Sequence, residues 1–333
     1  MVFSTVYAAV ARRRRRSSAA HPERQRRLRA PVISIGNLAV GGRGKTPLVA
    51  SIASMLIARG ERPSILSRGY GRRRQEEGVV VVRDPGGIRA DLDRSGDEPL
   101  MLARRLEGAA VLVSPDRYLA GRLAEQQFGC TVHLLDDGFQ HLALHRDLDV
   151  VIVNADDLRD GRTLPGGRLR EPLDSLAAAD AVVVAGEADV SALAPGRPVW
   201  RASRRLERAR LVEPFGERIE AAGPQAFAVA GIAHPQQFLD DLRQQGWCVR
   251  GSATYRDHHR YSAADTARIM REARDAGADL VLTTEKDLVR LLPFRPFPLP
   301  VAWVPLTMTA EPADAFDTWI VRGLDAARRE RCG

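Results

Sequence analysis

The sequence predicts an α/β fold: a parallel sheet flanked by helices, with a second, smaller α/β domain joined to it by a linker. Three observations carry this. Short apolar runs alternate with helical stretches from residue 31 onward, the pattern of βαβ units. The 333 residues exceed the ~150 typical of one domain. A composition of 44% hydrophobic and 28% charged residues supplies apolar material for two ordinary cores and excludes a disordered chain or a coiled coil. No apolar run approaches the ~18–20 residues a spanning helix needs. Cys130, Cys248 and Cys332 are far apart and form no CxxC pair, which argues against a disulfide scaffold or a cysteine-based zinc site and fits a reducing compartment.

Taken in order, residues 32–35 read as a strand, 36–44 as a loop and 45–59 as a helix. Further strands are expected at 64–66, 79–82, 111–113, 131–135, 149–153 and 181–184, with helices at 98–105, 118–127 and 173–178. Residues 200–220 are charged and lack helical periodicity, so they read as a linker or a hairpin. A second alternation follows: strand 226–230, helices 236–245 and 263–276, strands 280–282 and 301–304, and a helix at 313–329. The chain thus divides into a basic arm at 1–30, a first domain at 31–199, a linker at 200–222 and a smaller domain at 223–333 closing over the site.

The net charge of +8 is not spread over the chain. Residues 1–30 hold nine arginines and one acid, so the remaining 303 residues, with 41 basic and 41 acidic side chains, are neutral. Val2, Phe3, Val6, Tyr7 and Val10 recur at helical spacing and run into Arg12 to Arg16. A secretory signal places its charge before the apolar stretch, and here the order is reversed. The arm reads either as a short helix lying in an anionic membrane surface or as a solvated tail. Nucleic-acid binding is disfavoured, because the arm lacks interleaved aromatics and the body has no basic face. Of 50 basic residues only Lys45 and Lys286 are lysines.

In an open parallel sheet, ligands bind beyond the carboxyl ends of the strands. Residues 40–46, Val-Gly-Gly-Arg-Gly-Lys-Thr, follow the first strand and precede a helix, the context of a phosphate-binding P-loop. Backbone N–H groups around Gly41, Gly42, Arg43 and Gly44 can turn toward phosphate oxygens, Lys45 can reach the β/γ-phosphates, and the Thr46 hydroxyl can ligate Mg²⁺. The full pattern would place glycine at position 39, where this chain has Ala39. The fold expected is therefore P-loop NTPase-like. Asp136 and Asp137 end an apolar strand and read as Mg²⁺ carboxylates or as a turn. Asp97 and Glu98 open a helix, either as caps or with Asp97 as a general base beside the γ-phosphate. Asp257-His258-His259 is a weak metal signal taken alone, and Lys286 either holds phosphate or pairs with a carboxylate.

Together these residues resemble one family, the tetraacyldisaccharide 4′-kinases of lipid A biosynthesis. The resemblance is carried by VISIGNLAVGGRGKTP (32–47), LSRGYGR (66–72), SGDEPLMLA (95–103), LDDGFQHLALHRDLDVV (135–151), LPGGRLREPL (164–173), AGIAHPQQF (230–238), YRDHHRY (255–261) and TTEKD (283–287), in the family's order. It implies an ATP-dependent kinase that phosphorylates the 4′-hydroxyl of a tetraacyldisaccharide 1-phosphate, forming the lipid A precursor lipid IVA. The implied cofactors are ATP and Mg²⁺, and the implied location is the cytoplasmic face of the bacterial inner membrane, peripheral or monotopic. No obligate protein partner is inferred.

Carried over by position, the resemblance implies Lys45 and Thr46 as the P-loop lysine and Mg²⁺ hydroxyl. Asp97 becomes the catalytic aspartate, paired with His258 rather than His259. Asp136 and Asp137, with Glu98 beside Asp97, become metal ligands, and Asn37, Ser67, Arg68, Tyr70 and Arg72 substrate-binding residues. Arg168 stands where the family commonly has proline. Pairing Asp97 with His258 requires a contact of ~3 Å across ~160 residues of sequence. The different-class alternative is a membrane-recruited P-loop ATPase switch, but those proteins carry a signature lysine where this chain has Val40.

Overall fold

A parallel strand covered on both faces needs apolar residues at successive positions, and Val32–Asn37 (β1) supplies them: every residue of it is buried. The structure, a computed structural model, describes residues 2–41, 44–221 and 223–332. After β1 come β2 (Pro63–Ser67), β3 (Val80–Asp84), β4 (Gly87–Ile88), β5 (Ala110–Val113), β6 (Val132–Asp136), β7 (Leu148–Asn154), β8 (Ala181–Ala185) and β9 (Val199–Leu206). Then follow β10 (Ala209–Leu211), β11 (Arg218–Ile219), β12 (Gln225–Ala230), β13 (Cys248–Thr254), β14 (Leu280–Thr284), β15 (Val301–Val304) and β16 (Leu306–Glu311). They form two sheets, ordered β16-β9-β8-β7-β1-β6-β2-β5-β3-β4 and β11-β10-β15-β14-β12-β13.

The helices are α1 (Val2–Ala20), α2 (Lys45–Ala58), α3 (Leu92–Ser95), α4 (Asp97–Arg105), α5 (Arg117–Phe128), α6 (Ala155–Asp160), α7 (Pro235–Gln244), α8 (Ala263–Asp275), α9 (Glu285–Leu291) and α10 (Ala313–Cys332). Alternation along β1 sends Ile33 and Ile35 to one face, where they meet Leu48 and Ile52 of α2, Leu102 of α4 and Ile320 of α10. Val32 points to the other face, with Leu135 of β6 and Ala120 and Ala124 of α5. In the second sheet Phe227 and Val229 pack with Ile269 of α8 and Leu288 of α9, while Ala226 and Ala228 face Phe238 and Leu242 of α7.

Register places the chemistry. β1 lies between β6 and β7, all parallel, with Ile35 opposite Asp136. The loop leaving β1 and the Asp136–Asp137 pair therefore emerge side by side.

Two expected boundaries move. Residues 200–222 are not a linker: β9 pairs with β8 and β16 in the first sheet, and β10 and β11 belong to the second. The charges of β9 concealed a period-2 strand whose inward side chains include Trp200 and Ala202. Nor does the smaller unit run to residue 333. The chain crosses back after β15, adds β16 antiparallel to β9, and lays α10 on the first sheet through Phe316, Ile320 and Leu324. Arg331 of α10 grips Asp147 with two hydrogen bonds of 2.7 Å. A single sequence does not state which of two cores an amphipathic helix joins. The expected helix at 173–178 is a 3₁₀ turn, and β13, polar along its exposed edge, was not anticipated.

The arm is one helix of 19 residues, longer than its apolar stripe. Its inner face carries the buried Ala8 and Arg15, whose guanidinium holds Glu171 at 2.6 and 2.8 Å and lies 3.8 Å from the Phe139 ring centroid. Arg12 holds Asp174 at 2.6 Å. The apolar residues Phe3, Val6, Tyr7 and Val10 face outward, Phe3 with 79% of its surface exposed. No described helix is long and apolar enough to cross a membrane.

Ile320 is fully buried between α10 and the first sheet. Ile320→Ala should cost ~2–5 kcal/mol in urea denaturation. A loss below ~1 kcal/mol would mean that α10 is not part of that core.

Candidate active site

The loops after β1, β6, β12 and β14 line one cleft of about 1570 Å³ between the two sheets. Its phosphate end is built by α2. Gly44 caps that helix in the left-handed region (φ 85°), and a Cβ there would lie 2.4 Å from the Met308 side chain of β16. Lys45 and Thr46 open the helix, and first-turn N–H groups have no intrahelical acceptor, so the positive helix end faces the cleft. Lys45 Nζ lies 3.4 Å from the Gly41 carbonyl and 3.6 Å from Asp137. Gly42 and Arg43, two of the expected phosphate-loop residues, lie outside the described residues.

Thr46 Oγ1 is 3.3 and 3.4 Å from the two oxygens of Asp136. Burial, with Glu98 and Asp137 nearby, pushes the Asp136 carboxyl up to about 7. Lys45 and the Thr46 hydroxyl offset this only in part, which suits the carboxylate to a cation. Its neighbour is already served. Burial would raise Asp137 too, but Arg170 donates to both its oxygens at 2.6 and 2.7 Å and, with Lys45, holds it below the usual range. The same guanidinium reaches Asn37 Oδ1 at 2.5 Å, while Asn37 Nδ2 is buried without a partner among the described residues. Glu98 accepts from Lys286 at 3.2 Å. Of the four expected cation ligands, Thr46 and Asp136 thus converge, whereas Asp137 and Glu98 are turned to Arg170 and Lys286. Among the described residues no three His, Cys, Asp or Glu side chains form a ready-made cage. Mg²⁺ does not require one, since it is commonly held by one or two carboxylates together with phosphates and water.

Asp97 begins α4 after the cap residue Gly96; its Oδ1 accepts from the Glu98 N–H at 3.0 Å, and its Oδ2 accepts from His258 Nδ1 at 2.9 Å across 161 residues. Burial would raise Asp97, yet the His258 hydrogen bond and the charges of Lys286 and Arg290 hold it down at about 2. His258 is raised by the Asp97 hydrogen bond, against burial and the charge of Lys286. His259 turns away, stacked on Tyr255 and 3.3 Å from Asp265.

A buried network sets the His258 loop. Asp287 accepts from Tyr261, Thr284 and the Gly231 N–H at 2.8, 2.7 and 3.0 Å, and Arg290 links it to the His259 carbonyl at 2.9 Å. Arg260 ties the loop to the first unit through Asp93 and the Gly71 carbonyl. Asp137 and His258 are the non-glycine residues with positive φ among the described residues, at 58° and 59°. Such backbone costs ~1–3 kcal/mol and concentrates at functional sites.

Ser67 is buried at the end of β2, Arg68 and Tyr70 are exposed on the cleft wall, and Arg72 is half-buried with Nη1 unpartnered among the described residues. Arg170, Arg290 and Asp287 were not anticipated. Lys286 had one signal in the sequence: it shares with Lys45 the distinction of not being arginine.

The family described as Tetraacyldisaccharide-1-P 4′-kinase matches residues 1–325. The chain belongs to the tetraacyldisaccharide-1-P 4′-kinase family. It is 42% identical over 299 residues to the tetraacyldisaccharide 4′-kinase of Koribacter versatilis, covering 88% of each chain. To that of Geobacter metallireducens it is 40% identical over 298 residues, again covering 88% of each. The crystal structure of LpxK from Aquifex aeolicus in complex with ATP superposes with a TM-score of 0.79 at 31% identity, covering 97% of both chains. The resemblance read from the motifs and the P-loop NTPase-like α/β fold both hold, and membership of a kinase family displaces the ATPase-switch alternative.

A depressed carboxyl stabilises the fold above its unfolded pKa and loses that contribution as pH falls through the folded one. For Asp97 the window runs from 3.8 down to about 2, and the shift is worth about 2 kcal/mol. The stability gap between wild type and Asp97→Asn, measured in urea from about pH 6 to about pH 3, should narrow on acidification. A gap that held constant would mean that ionised Asp97 is not stabilised in the fold.

Proposed function

We propose that this protein transfers the γ-phosphoryl group of ATP to the 4′-hydroxyl of a tetraacyldisaccharide 1-phosphate, giving the 1,4′-bisphosphorylated lipid A precursor lipid IVA. The observation that carries the reading is the 2.9 Å Asp97–His258 contact in the cleft that also holds the start of α2. Phosphoryl transfer needs positioning and charge neutralisation more than covalent chemistry.

The amides and side chain of Lys45 would bind the β/γ oxygens, with Gly41 and Gly44 beside them and Gly42 and Arg43 assigned to the same loop from the sequence alone. Thr46 and Asp136 would hold Mg²⁺, aided by Asp137 and Glu98 if phosphate oxygens draw Arg170 and Lys286 off them. When bound, the ion neutralises charge on the β/γ oxygens. Asp97 accepts the hydroxyl proton as that oxygen bonds to the γ-phosphorus, and the bond to the β–γ bridging oxygen breaks with its electrons leaving on ADP. Asn37, Ser67, Arg68, Tyr70 and Arg72 would serve as substrate contacts, of which Ser67, Arg68 and Tyr70 line the cleft. The unpartnered Asn37 Nδ2 and Arg72 Nη1 support this, since buried donors seek acceptors.

The outward stripe of Phe3, Val6, Tyr7 and Val10, followed by the exposed Arg13, Arg14 and Arg16, fits a helix lying in an anionic membrane surface. A lipid substrate and ATP meet at the cytoplasmic face of the inner membrane, and that is where we place the enzyme.

Incubation with ATP, Mg²⁺ and the disaccharide lipid should yield a bisphosphorylated product; ATP turnover without a modified lipid would refute the assignment. Asp97→Ala should lower kcat by ~10²–10⁴-fold with little change in the KM for ATP. The double variant Phe3→Glu, Val10→Glu should bind anionic vesicles at least ~10-fold more weakly in a sedimentation assay, because it charges the stripe without touching the arm's contacts to the body.

A further inference from the structure

Arg168 is the position at which this chain departs from the family's motif, and the mechanism gives it no role. Its main chain and its side chain both meet the start of the phosphate loop. Residues 38–40 run antiparallel to 168–170, with Ala39 opposite Leu169. The Arg170 N–H donates to the Leu38 carbonyl at 2.6 Å, and the Val40 N–H to the Arg168 carbonyl at 2.9 Å. Two residues paired in this way ordinarily exchange a second bond, given by the other backbone N–H. Here the side chain gives it: Arg168 Nη2 donates to the Val40 carbonyl at 2.8 Å. A proline at 168 would offer that carbonyl no donor at all.

We propose that Arg168 is a positioning residue that fixes the Val40–Gly41 peptide, drawing its carbonyl out of the cleft so that its N–H faces the nucleotide phosphates. The proposal rests on the reading of residues 41–46 as the phosphate site.

In a trans peptide the C=O and the N–H point in opposite directions. Val40 and Gly41 line the cleft and Arg168 does not, so a carbonyl held by Arg168 turns the following amide inward. This peptide is the one that needs holding. The full phosphate-loop pattern begins its turn with glycine at 39, whereas Ala39 is buried in the bridge to Leu169 and the left-handed backbone comes at Gly41 (φ 99°). Glycine allows the preceding peptide to rotate unless its carbonyl is tied down. The guanidinium lies against that glycine: a Cβ at position 41 would come within 2.9 Å of Arg168 Nη2. From the other side Asp157 of α6, itself buried, stands 3.8 Å from Arg168 Nε and steers the fork toward Val40. The Arg168 side chain is 47% exposed, so it adds little to the stability of the fold, and its effect belongs to nucleotide binding.

The test is calorimetry of ATP and of ADP binding to the full-length protein with Mg²⁺, at about 0.15 M and about 0.5 M salt, beside steady-state kinetics. Arg168→Met keeps the aliphatic stem and removes the donor. It should weaken ATP and ADP alike by ~3–10-fold at both salt concentrations, because both nucleotides place a β-phosphate in the turn. Both kcat and the KM for the lipid should stay within ~2-fold of wild type, with the urea midpoint unmoved. A loss below ~2-fold would overturn the proposal. So would a loss that vanishes at high salt, the mark of a distant charge, or one confined to ATP, the mark of a direct γ-phosphate contact. An equal rise in the lipid KM, or a lowered urea midpoint, would make Arg168 a general structural residue and overturn it too. Lys45→Met separates the two readings: unchanged ADP affinity there would refute the phosphate site itself, whereas a loss there with none in Arg168→Met would remove the proposal alone.

Discussion

The hydrogen bond between Asp97 and His258 is the contact on which the site depends. Its partners stand on a helix beside the first sheet and a loop beside the second, so it forms only when α4 and the loop before α8 are held face to face. Much of the surrounding polar structure serves that end. Arg260 reaches back to Asp93 and Gly71, Lys286 spans Glu98 and Asp257, and Arg105 at the far end of α4 holds Glu285 and Glu207 at 3.1 Å. The Arg105 and Lys286 pairs are largely shielded from water, where ion pairs are screened least, and breaking one would leave a poorly compensated charge; the Arg260–Asp93 pair is exposed.

The chain's return path supports the same geometry. Adding β16 to β9 and closing α10 over the first sheet means that the second sheet is inserted between two segments of the first unit and joined to it twice. Met308 of β16 fills the space that glycine leaves at position 44, so the returning strand also shapes the phosphate loop. The arm is attached by a different logic. Its arginines split, Arg12 and Arg15 holding Asp174 and Glu171 while Arg13, Arg14 and Arg16 stay exposed, and that split turns the apolar stripe outward.

The electrostatics of the cleft fall into two regions. At the phosphate end, Asp136 is buried with too little positive charge, and Asp137 beside it is fully served by Arg170. At the other end, where we propose that the proton is transferred, Asp97 is buried and well compensated, hence strongly acidic. A carboxylate held that low is a weak base unless its surroundings change, and substrate phosphates entering the cleft would supply that change by drawing on the same cations.

Local pattern was enough to read the strand–loop–helix at Lys45 and Thr46, the strand ending in Asp136 and Asp137, and Asp97 at a helix start, whereas His258 is singled out over His259 by the family resemblance. Apolar periodicity, glycine placement and turn chemistry act over a few residues and are written directly in the chain. What the pattern left open was decided by tertiary contacts. Whether Asp97 only serves the N–H groups of its own helix or also meets a histidine depends on a residue 161 positions away. Whether the last helix joins the second core or the first depends on which apolar surface remains uncovered once both sheets have formed. Arg170, Asp287 and Arg290 read as three charges among many, because a side chain's partners belong to its position in space and not to its neighbours in sequence.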